Sequence, residues 1–220
     1  MAKSNMPMIS QLVKIRLVGK NYGSFAVGAT IFKIEDYKQT EHGSAFSIWK
    51  HLIGSNDWED FKNGKEGVSR YRNQNLPTES CQGLYELGVS VISQDQGRKI
   101  DPQNVLTAYL GQSERVRSRL QEYGRSGAHL PTRFFEDIFS KGGSILYRWA
   151  QMRNKRETQA TEAKILWIYD YAWNTFCNGE RRHLELVKKL GDGEFICHRK
   201  LSCEVDTQQF FRSRPQPYRF

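Results

Sequence analysis

The chain of 220 residues lacks any long hydrophobic run. Its longest apolar stretch, residues 25–32, contains a glycine and falls far short of the roughly 18 residues that cross a bilayer. Hydrophobic residues make up 38% of the chain and aromatic residues 12%, and the mean hydropathy is −0.67. We therefore expect no membrane partner, and a soluble protein with one sizeable packed core or two small domains.

Cysteine is scarce and irregularly spaced. The four residues, Cys81, Cys177, Cys197 and Cys203, form no framework of the kind found in small secreted domains, so a reducing compartment is expected. Their spacing fits no compact zinc finger, even when His198 is included. We therefore expect structural thiols, and no zinc.

Acidic residues are absent from the first 34 positions, which carry five lysines or arginines. Such a segment is typical of a basic arm that reaches toward nucleic acid, of a poorly ordered terminus, or of a transit peptide. The whole chain has a formal net charge of +9, and thirteen basic against seven acidic residues lie between Arg98 and Lys164. Basic charge among aromatic groups indicates a polyanion-binding surface, although a solvated face would look similar.

The hydrophobic pattern predicts an α+β fold with a small, mainly antiparallel sheet of three strands flanked by helices. Strands are predicted over residues 84–92, 105–110 and 144–149, of which the first two form a hairpin. Helices are predicted over residues 112–123, from a cap at Thr158 or Thr161 to about 173, and over 183–190. Shorter helical pieces are predicted over residues 47–53 and 134–139.

Two aromatic motifs, Gly83-Leu84-Tyr85 and Tyr109-Leu110-Gly111, lie about one hairpin apart. Each can end a strand with a phenol aimed at a common point. The arginine-rich helix that follows brings Arg119 toward the same place, with Tyr123 one turn further. Phenols together with guanidinium groups indicate a site that handles phosphate.

A carboxylate and an amide extend this pattern. Glu162 lies on a later predicted helix, and Asn174 follows twelve residues after it. Glu162 can hold one Mg²⁺ or Mn²⁺ ion, with waters filling most of the coordination shell. Taken singly, Tyr85 and Tyr109 are equally typical of a packed core, and Glu162 of a helix N-terminus.

In this order and spacing the residues resemble the GIY-YIG nuclease domain, which has Gly-x-Tyr and Tyr-x-Gly on neighbouring strands. Its arginine follows ten residues after the second tyrosine, as Arg119 follows Tyr109, and its glutamate lies on a later helix. The resemblance covers about residues 81–175 and implies a metal-dependent cut in DNA, with Glu162 as the metal ligand. The catalytic residues it implies are Tyr85, Tyr109, Arg119, Tyr123, Glu162 and Asn174.

The chemistry assigns further roles. Tyr85 is interpreted as the general base, and its pKa of about 10 would have to fall beside an arginine and a metal ion. Arg115, Arg117 and Arg125 are expected to contact flanking phosphates, which predicts DNA binding with little sequence preference.

In the stretches at residues 53–60, 83–89, 123–130, 135–143 and 170–174, the wider chain also resembles the plant effector of transcription family. This resemblance implies a nuclear, DNA-binding regulator that represses gibberellin-responsive genes, with other transcription regulators as further partners. A transit peptide would instead imply a plastid or a mitochondrion. Longer relatives carry cysteine-rich zinc repeats, and this chain is expected to be a short member without them.

Four segments are expected along the chain: a basic arm at 1–34, an extension packing on the core at 35–80, the GIY-YIG-like domain at 81–175, and a C-terminal helix with a basic tail at 176–220. Three functions stay open at this point. They are a Mg²⁺-dependent endonuclease or nickase, a DNA-binding regulatory module that does not cut, and a short competitor of longer relatives.

Overall fold

The computed structural model describes residues 32–64, 76–77, 81–90, 100–175 and 180–191, which contain six strands, five α-helices and three short 3₁₀ helices. The strands are β1 (Phe32–Lys33), β2 (Lys50–Gly54), β3 (Gly83–Ser90), β4 (Leu106–Ser113), β5 (Ser144–Gln151) and β6 (Tyr169–Asp170). The helices are α1 (Ser55–Lys62), α2 (Val116–Ser126), α3 (Thr132–Ser140), α4 (Lys155–Ile168) and α5 (His183–Gly191). Within these residues, no helix is long and apolar enough to cross a membrane.

The main sheet has four strands in the order β2-β5-β3-β4, and every neighbouring pair is antiparallel. A separate parallel pair joins β1 to β6. Every residue of the central strand β3 is buried, because elements cover both faces of the sheet. The fold class is therefore α+β, as predicted.

The two faces of β3 pack against different elements, since side chains alternate along a strand. Tyr85, Leu87 and Val89 enter the larger core, to which helices α1, α2, α3 and α5 contribute apolar side chains. Leu84 enters a second core on the opposite face, built mainly from α4, β6 and the segment around Ile34.

A bulge in β4 puts both Leu106 and Tyr109 on the face of the sheet that carries Tyr85. The pairing passes from Leu87 opposite Tyr109 to Gly88 opposite Thr107, so Ala108 is an extra residue in the register. The carbonyl of Ala108 accepts a hydrogen bond from the Trp173 N–H at 2.9 Å. Bulges of this kind redirect a side chain at the point where the ladder is interrupted.

A fully buried carboxylate fastens the opposite face of the sheet. Glu86 accepts a hydrogen bond from the Tyr171 hydroxyl at 2.6 Å, lies 3.0 Å from Nε2 of His42, and pairs with the Arg148 guanidinium. The Arg148 guanidinium also lies 4.7 Å from the ring centre of Trp49. These contacts tie three distant parts of the chain to the centre of β3.

A second ionic cluster joins the start of the described chain to its last helix. Arg182 pairs with Glu35, Asp170 and Glu185, and the Arg182–Asp170 distance is 2.7 Å. The Glu35 carboxylate is shielded from solvent, so its pairing with Arg182 is needed to offset the cost of burying its charge.

The fourth strand corrects the prediction of a three-stranded sheet. Residues 47–53 were predicted to be helical and to stop at the Gly54-Ser55-Asn56 stretch, but residues 50–54 form β2 instead. Helix α1 begins at Ser55, where the Asp57 carboxylate accepts a hydrogen bond from the Gly54 N–H at 3.1 Å. Ser, Asn and Asp favour the start of a helix, and here the helix begins after them instead of ending at them. Residues 50–54 form a strand because they pair with β5.

Other boundaries also shift. Strand β4 continues through Ser113, so α2 begins at Val116 rather than at residue 112. Helix α4 begins earlier than predicted, because the Asn154 side chain caps it by accepting from the Glu157 N–H at 2.9 Å. It ends at Ile168, and the chain then extends into β6.

The predicted hairpin, the strand over 144–149 and the last helix are confirmed in type. Residues 134–139 are helical as predicted, within the longer helix α3. The basic arm up to residue 31, the hairpin turn at 91–99, the tail beyond 191, and Cys177, Cys197 and Cys203 lie outside the described residues. The segment boundaries stay predictions.

The Glu86 cluster predicts an acid-sensitive fold. Burial alone would raise the pKa of Glu86, but Arg148, His42 and Tyr171 lower it to about 2, against an ordinary 4.5. The stabilisation is therefore complete above pH 4.5 and is lost as the pH falls toward 2. Glu86→Gln should lose about 3–5 kcal/mol of unfolding free energy at pH 7, because Arg148 is left without its buried partner.

Urea unfolding of both proteins across pH 3–7 measures this effect. Glu136→Gln is the matched control, since it breaks an exposed pair with Lys62 whose side chains are 45% and 49% exposed. Such exposed pairs contribute about 0–1 kcal/mol. Equal stability of the two variants at pH 7 would contradict a stabilising role for the buried cluster.

Candidate active site

Three tyrosines from three elements form one cluster at the end of the sheet. Tyr85 lies on β3, Tyr109 on β4 and Tyr123 on α2, and their ring centres are 5.8, 6.0 and 6.2 Å apart in the three pairs. The hydroxyl oxygens of Tyr85 and Tyr123 are 3.2 Å apart. Both side chains are buried, whereas Tyr109 is half-buried.

The glycines of the two aromatic motifs permit this close packing. A Cβ atom on Gly111 would lie 2.5 Å from the Tyr85 hydroxyl oxygen and 2.7 Å from the Tyr109 ring. A Cβ atom on Gly83 would lie 2.2 Å from the carbonyl oxygen of Ala150 on the neighbouring strand. Each glycine is therefore required by a close approach and not by an unusual backbone angle.

His129 joins the tyrosine cluster from the loop after α2. Its Nε2 atom lies 2.9 Å from the Tyr109 hydroxyl, and its Nδ1 atom lies 3.3 Å from the Tyr123 hydroxyl. A neutral imidazole accepts at one nitrogen and donates at the other. These distances fit acceptance from Tyr109 at Nε2 and donation to Tyr123 from Nδ1.

A cleft of about 180 Å³ opens beside this cluster. Tyr109 and His129 line one part of it, and Glu162 of α4 lines another. The Glu162 carboxylate accepts a hydrogen bond from the Gln112 side-chain amide at 2.8 Å. The remaining lining residues are Leu166, Trp173, Asn174, Thr175 and Arg181.

Arg119 lies on α2 at the edge of this group. Its side chain is 37% exposed, and its Nε atom lies 3.3 Å from the Glu122 carboxylate. Its charge acts to lower the pKa values of Tyr85, Tyr109 and His129, so it lies near all three. The two motifs and the glutamate are thus brought together with this arginine, as their spacing predicts.

The Asn174 side chain is bound to the sheet and does not point at a reacting group. Its oxygen accepts from the Leu110 N–H at 3.0 Å, and its nitrogen donates to the Leu110 carbonyl at 2.9 Å. It therefore extends the ladder of β4 as a neighbouring strand would. The structure places Asn174 as a positioning residue at the wall of the cleft.

The segment that carries Asn174 is held in place by contacts with α3 and α5. The Trp173 indole N–H donates to Nδ1 of His183 at 3.1 Å, and the other His183 nitrogen donates to the Asp137 carboxylate at 2.9 Å. The His183 ring also stacks on Phe134 with centres 4.0 Å apart. This packing fixes the wall of the cleft against α3 and α5.

The three arginines predicted to contact flanking phosphates separate into two groups. Arg115 and Arg125 are exposed at the start and near the end of α2, which suits contact with an extended polyanion. The Arg117 guanidinium is half-buried and donates to the Pro77 carbonyl, so this arginine braces the fold. Neither group lines the cleft.

Burial sets the protonation of the cluster. It raises the pKa values of Tyr85, Tyr109 and Tyr123 above their ordinary 10, which is opposite to the fall expected for Tyr85 as a base. Burial lowers the pKa of His129, and the charge of Arg119 lowers it further. Burial raises the pKa of Glu162 to about 7, although the Gln112 hydrogen bond opposes this.

The donor set tests which metal ion the cleft suits. Glu162 supplies one carboxylate, and burial raises its pKa to about 7, so a bound cation would favour its charged form. In the described part of the chain, no cluster of three or more His, Cys, Asp or Glu side chains could hold a metal. One carboxylate with space for waters fits Mg²⁺ or Mn²⁺ and does not fit a structural zinc centre.

Sequence reasoning missed three residues of this site. Gln112 is predicted to begin a helix, and no site role is predicted for His129 or Arg181. Gln112 carries a usable signal, because it directly follows the Tyr109-Leu110-Gly111 motif on β4. His129 and Arg181 lie in connections, where no periodicity marks a buried or functional face.

Comparison with known proteins defines the class. The family described as GIY-YIG domain-containing protein matches residues 46–187, which begins within the predicted extension and includes β2 and α1. This agrees with the three-tyrosine cluster, Arg119 and Glu162. The chain is a GIY-YIG domain protein.

Relatives within this class define the particular family. Protein EFFECTOR OF TRANSCRIPTION 2 of Arabidopsis thaliana is 62% identical to this chain, in an aligned region that covers 80% of this chain and 41% of the relative. Protein EFFECTOR OF TRANSCRIPTION 3 of the same plant is 58% identical, and the aligned region covers 89% of this chain and 74% of the relative. The chain belongs to the effector of transcription family.

A third relative, Protein EFFECTOR OF TRANSCRIPTION 1 of Arabidopsis thaliana, is 50% identical over 34% of this chain and 13% of its own length. This chain thus spans less than half of the first and third relatives and about three quarters of the second. No solved structure matches it.

The packing on Gly111 gives a direct test of the cluster. Gly111→Ala should displace the Tyr85 and Tyr109 rings and lower the unfolding free energy by about 1–3 kcal/mol, as expected for overpacking. Urea unfolding measures the loss, and near-ultraviolet circular dichroism reports the altered tyrosine environment.

Gly43→Ala is the control for this variant. Its Cβ atom would meet only side-chain ends, at 3.0 Å from the Thr40 hydroxyl and 3.3 Å from the Arg148 guanidinium. A Gly111→Ala protein as stable as the Gly43→Ala protein, with an unchanged aromatic spectrum, would show that the rings do not depend on this glycine.

Proposed function

We propose that this chain is a nuclear, DNA-binding regulator of transcription whose GIY-YIG domain cuts or nicks DNA with one divalent cation, Mg²⁺ or Mn²⁺. One observation supports the cutting activity above all. Tyr109, His129 and Glu162, from three separate elements, line one cleft beside Arg119. A packed core alone gives no reason to gather a phenol, an imidazole and a carboxylate around open space.

The assignment to gene regulation is supported by membership in the effector of transcription family. Repression of gibberellin-responsive genes is part of the proposal, and so is interaction with other transcription regulators. The formal charge of +9 suits binding to the DNA backbone. Exposed Arg115 and Arg125 are the proposed contacts to flanking phosphates, with little preference for sequence.

Tyr109 is the proposed residue that receives the proton of the attacking water. Tyr85 is 1% exposed, and its hydroxyl is occupied by Tyr123, whereas Tyr109 lines the cleft. Because the Tyr109 phenol stays protonated, it cannot begin as a base. It can accept a proton from water while it passes its own to His129 Nε2, which lies 2.9 Å away.

The proposed reaction is hydrolysis of a phosphodiester bond by one water molecule. The water oxygen forms a bond to phosphorus, and the bond from phosphorus to the leaving oxygen of DNA breaks. The water proton goes to Tyr109, the Tyr109 proton goes to His129, and the leaving oxygen takes a proton from solvent. Arg119 donates hydrogen bonds to the phosphate as its charge increases.

Glu162 is the proposed ligand of the divalent cation, with Gln112 holding its carboxylate in place. When bound, the cation supplies Lewis acidity and neutralises charge on the phosphate. The hydrogen bond from Gln112 occupies one carboxylate oxygen, and the other remains for the metal.

A second function, DNA binding without cutting, is favoured by one observation. Burial raises the pKa values of all three tyrosines, so none of them is ionised near neutral pH. A site that has kept its packing and lost its turnover would look the same. Cleavage assays separate the two functions.

The plasmid test uses Glu162→Gln. Purified protein with supercoiled plasmid and Mg²⁺ should convert the plasmid to open-circular or linear DNA. The variant should lose at least about a hundredfold in rate, because the metal ligand is removed. Glu114→Gln, an exposed carboxylate with a 68% exposed side chain outside the cleft, should leave the rate unchanged. Equal plasmid conversion by wild type and Glu162→Gln would contradict cutting at this site.

The proton acceptor is tested with His129→Gln. Glutamine can still accept the Tyr109 hydrogen bond but cannot take its proton, so the rate of cleavage should fall by about 10²–10⁴-fold, the range of general acid–base catalysis. Single-turnover cleavage at saturating protein measures this rate, and DNA affinity should not change. A His129→Gln protein that cuts at the wild-type rate would rule out the transfer to His129.

A further inference from the structure

Arg181 brings a second guanidinium to the cleft. It lies in the connection before α5, beyond the two aromatic motifs, the arginine helix and the glutamate helix. It lines the cleft together with Tyr109, His129 and Glu162. Its charge lowers the pKa of His129, as that of Arg119 does, so both cations lie near this imidazole.

Two backbone contacts hold this arginine in position. The Nε atom of Arg181 donates to the Trp173 carbonyl at 3.0 Å, and the N–H of Arg182 donates to the Ala172 carbonyl at 2.8 Å. The guanidinium carbon also lies 5.9 Å from the centre of the Phe134 ring. Arg181 is therefore anchored through Nε, which leaves its two terminal amino groups to meet a ligand.

The neighbouring arginine shows what a structural role looks like. Arg182 pairs with three carboxylates, those of Glu35, Asp170 and Glu185. In the described part of the chain, no carboxylate lies within ion-pair distance of Arg181. Two adjacent cations thus differ sharply: Arg182 is neutralised inside the fold, and Arg181 faces a cleft with no carboxylate partner among the described residues.

We propose that Arg181 binds a phosphate of the nucleic-acid backbone in this cleft, as a second phosphate-binding residue alongside Arg119. A guanidinium anchored at Nε presents two parallel donors, which match two oxygens of a phosphodiester. The proposal rests on the proposed function for the identity of the ligand as DNA. It does not require that the DNA be cut.

The test measures DNA affinity without metal ions. Fluorescence anisotropy of a labelled duplex oligonucleotide, in EDTA and over a series of salt concentrations, gives both the affinity and its salt dependence. Arg181→Gln should weaken binding severalfold and reduce the slope of log K against log salt by about 0.9, the value for one phosphate contact.

Arg133→Gln is a closely matched control. Arg133 on α3 lies 5.9 Å from the same Phe134 ring, yet it is exposed and does not line the cleft. The two variants remove the same charge and the same type of ring contact. Arg133→Gln should leave both the affinity and the salt slope at wild-type values.

Arg181→Lys separates charge from packing. Lysine keeps the positive charge, so the salt slope of the Arg181→Lys protein should stay near that of wild type. If the arginine were purely structural, the Lys and Gln variants would lose DNA affinity equally, with no change in slope. That structural result would overturn the proposal, and so would equal affinities and slopes for Arg181→Gln and Arg133→Gln.

The outcome is independent of the plasmid assay. Wild-type protein that fails to nick plasmid, combined with a binding loss confined to Arg181→Gln, would support this proposal and reject the nuclease. Nicking that depends on Glu162, combined with unchanged binding of the Arg181→Gln protein, would support the nuclease and overturn the proposal.

Discussion

The close packing of two tyrosine rings against Gly111 is the constraint on which the site depends. Because no side chain separates them there, Tyr85 and Tyr109 approach within 6.2 Å between ring centres. Tyr123 then completes the group from α2. The bulge at Ala108 lets Leu106 and Tyr109 both face this core, since regular alternation would put residues three apart on opposite faces. Local backbone geometry and ring packing therefore specify one arrangement together.

The site and the core share the same residues. Tyr85 and Tyr123 belong to the main hydrophobic core, and yet their hydroxyls form a chain of hydrogen bonds that reaches His129 and Tyr109 at the cleft. Solvent exposure increases along this chain, from the buried phenols of Tyr85 and Tyr123 to the exposed imidazole of His129. The inner phenols therefore orient the outer groups, and only the outer groups can meet water or phosphate.

Much of this arrangement could be predicted from sequence, for a physical reason. Motif residues on regular elements keep fixed spacings, so Arg119 and Glu162 could be placed by counting from Tyr109. Strand β2 could not be found in this way, because its conformation depends on pairing with β5, which is distant in the chain. Arg181 was missed because hydrogen bonds across the fold, and not local periodicity, bring it to the cleft. Asn174 was found by the same counting, but its bonds to the Leu110 backbone could not be predicted, since an amide that binds backbone looks the same in sequence as one that binds substrate.

The pairing of Asn174 with Leu110 has a consequence for association between molecules. Strand β4 is the outer strand of the main sheet, and an outer strand with open N–H and C=O groups can recruit a strand from another molecule. Trp173 and Asn174 occupy the Ala108 carbonyl and both backbone groups of Leu110. Over this stretch the chain covers its own sheet edge, so that the edge which carries Tyr109 is closed to strand addition while the cleft beside it stays open.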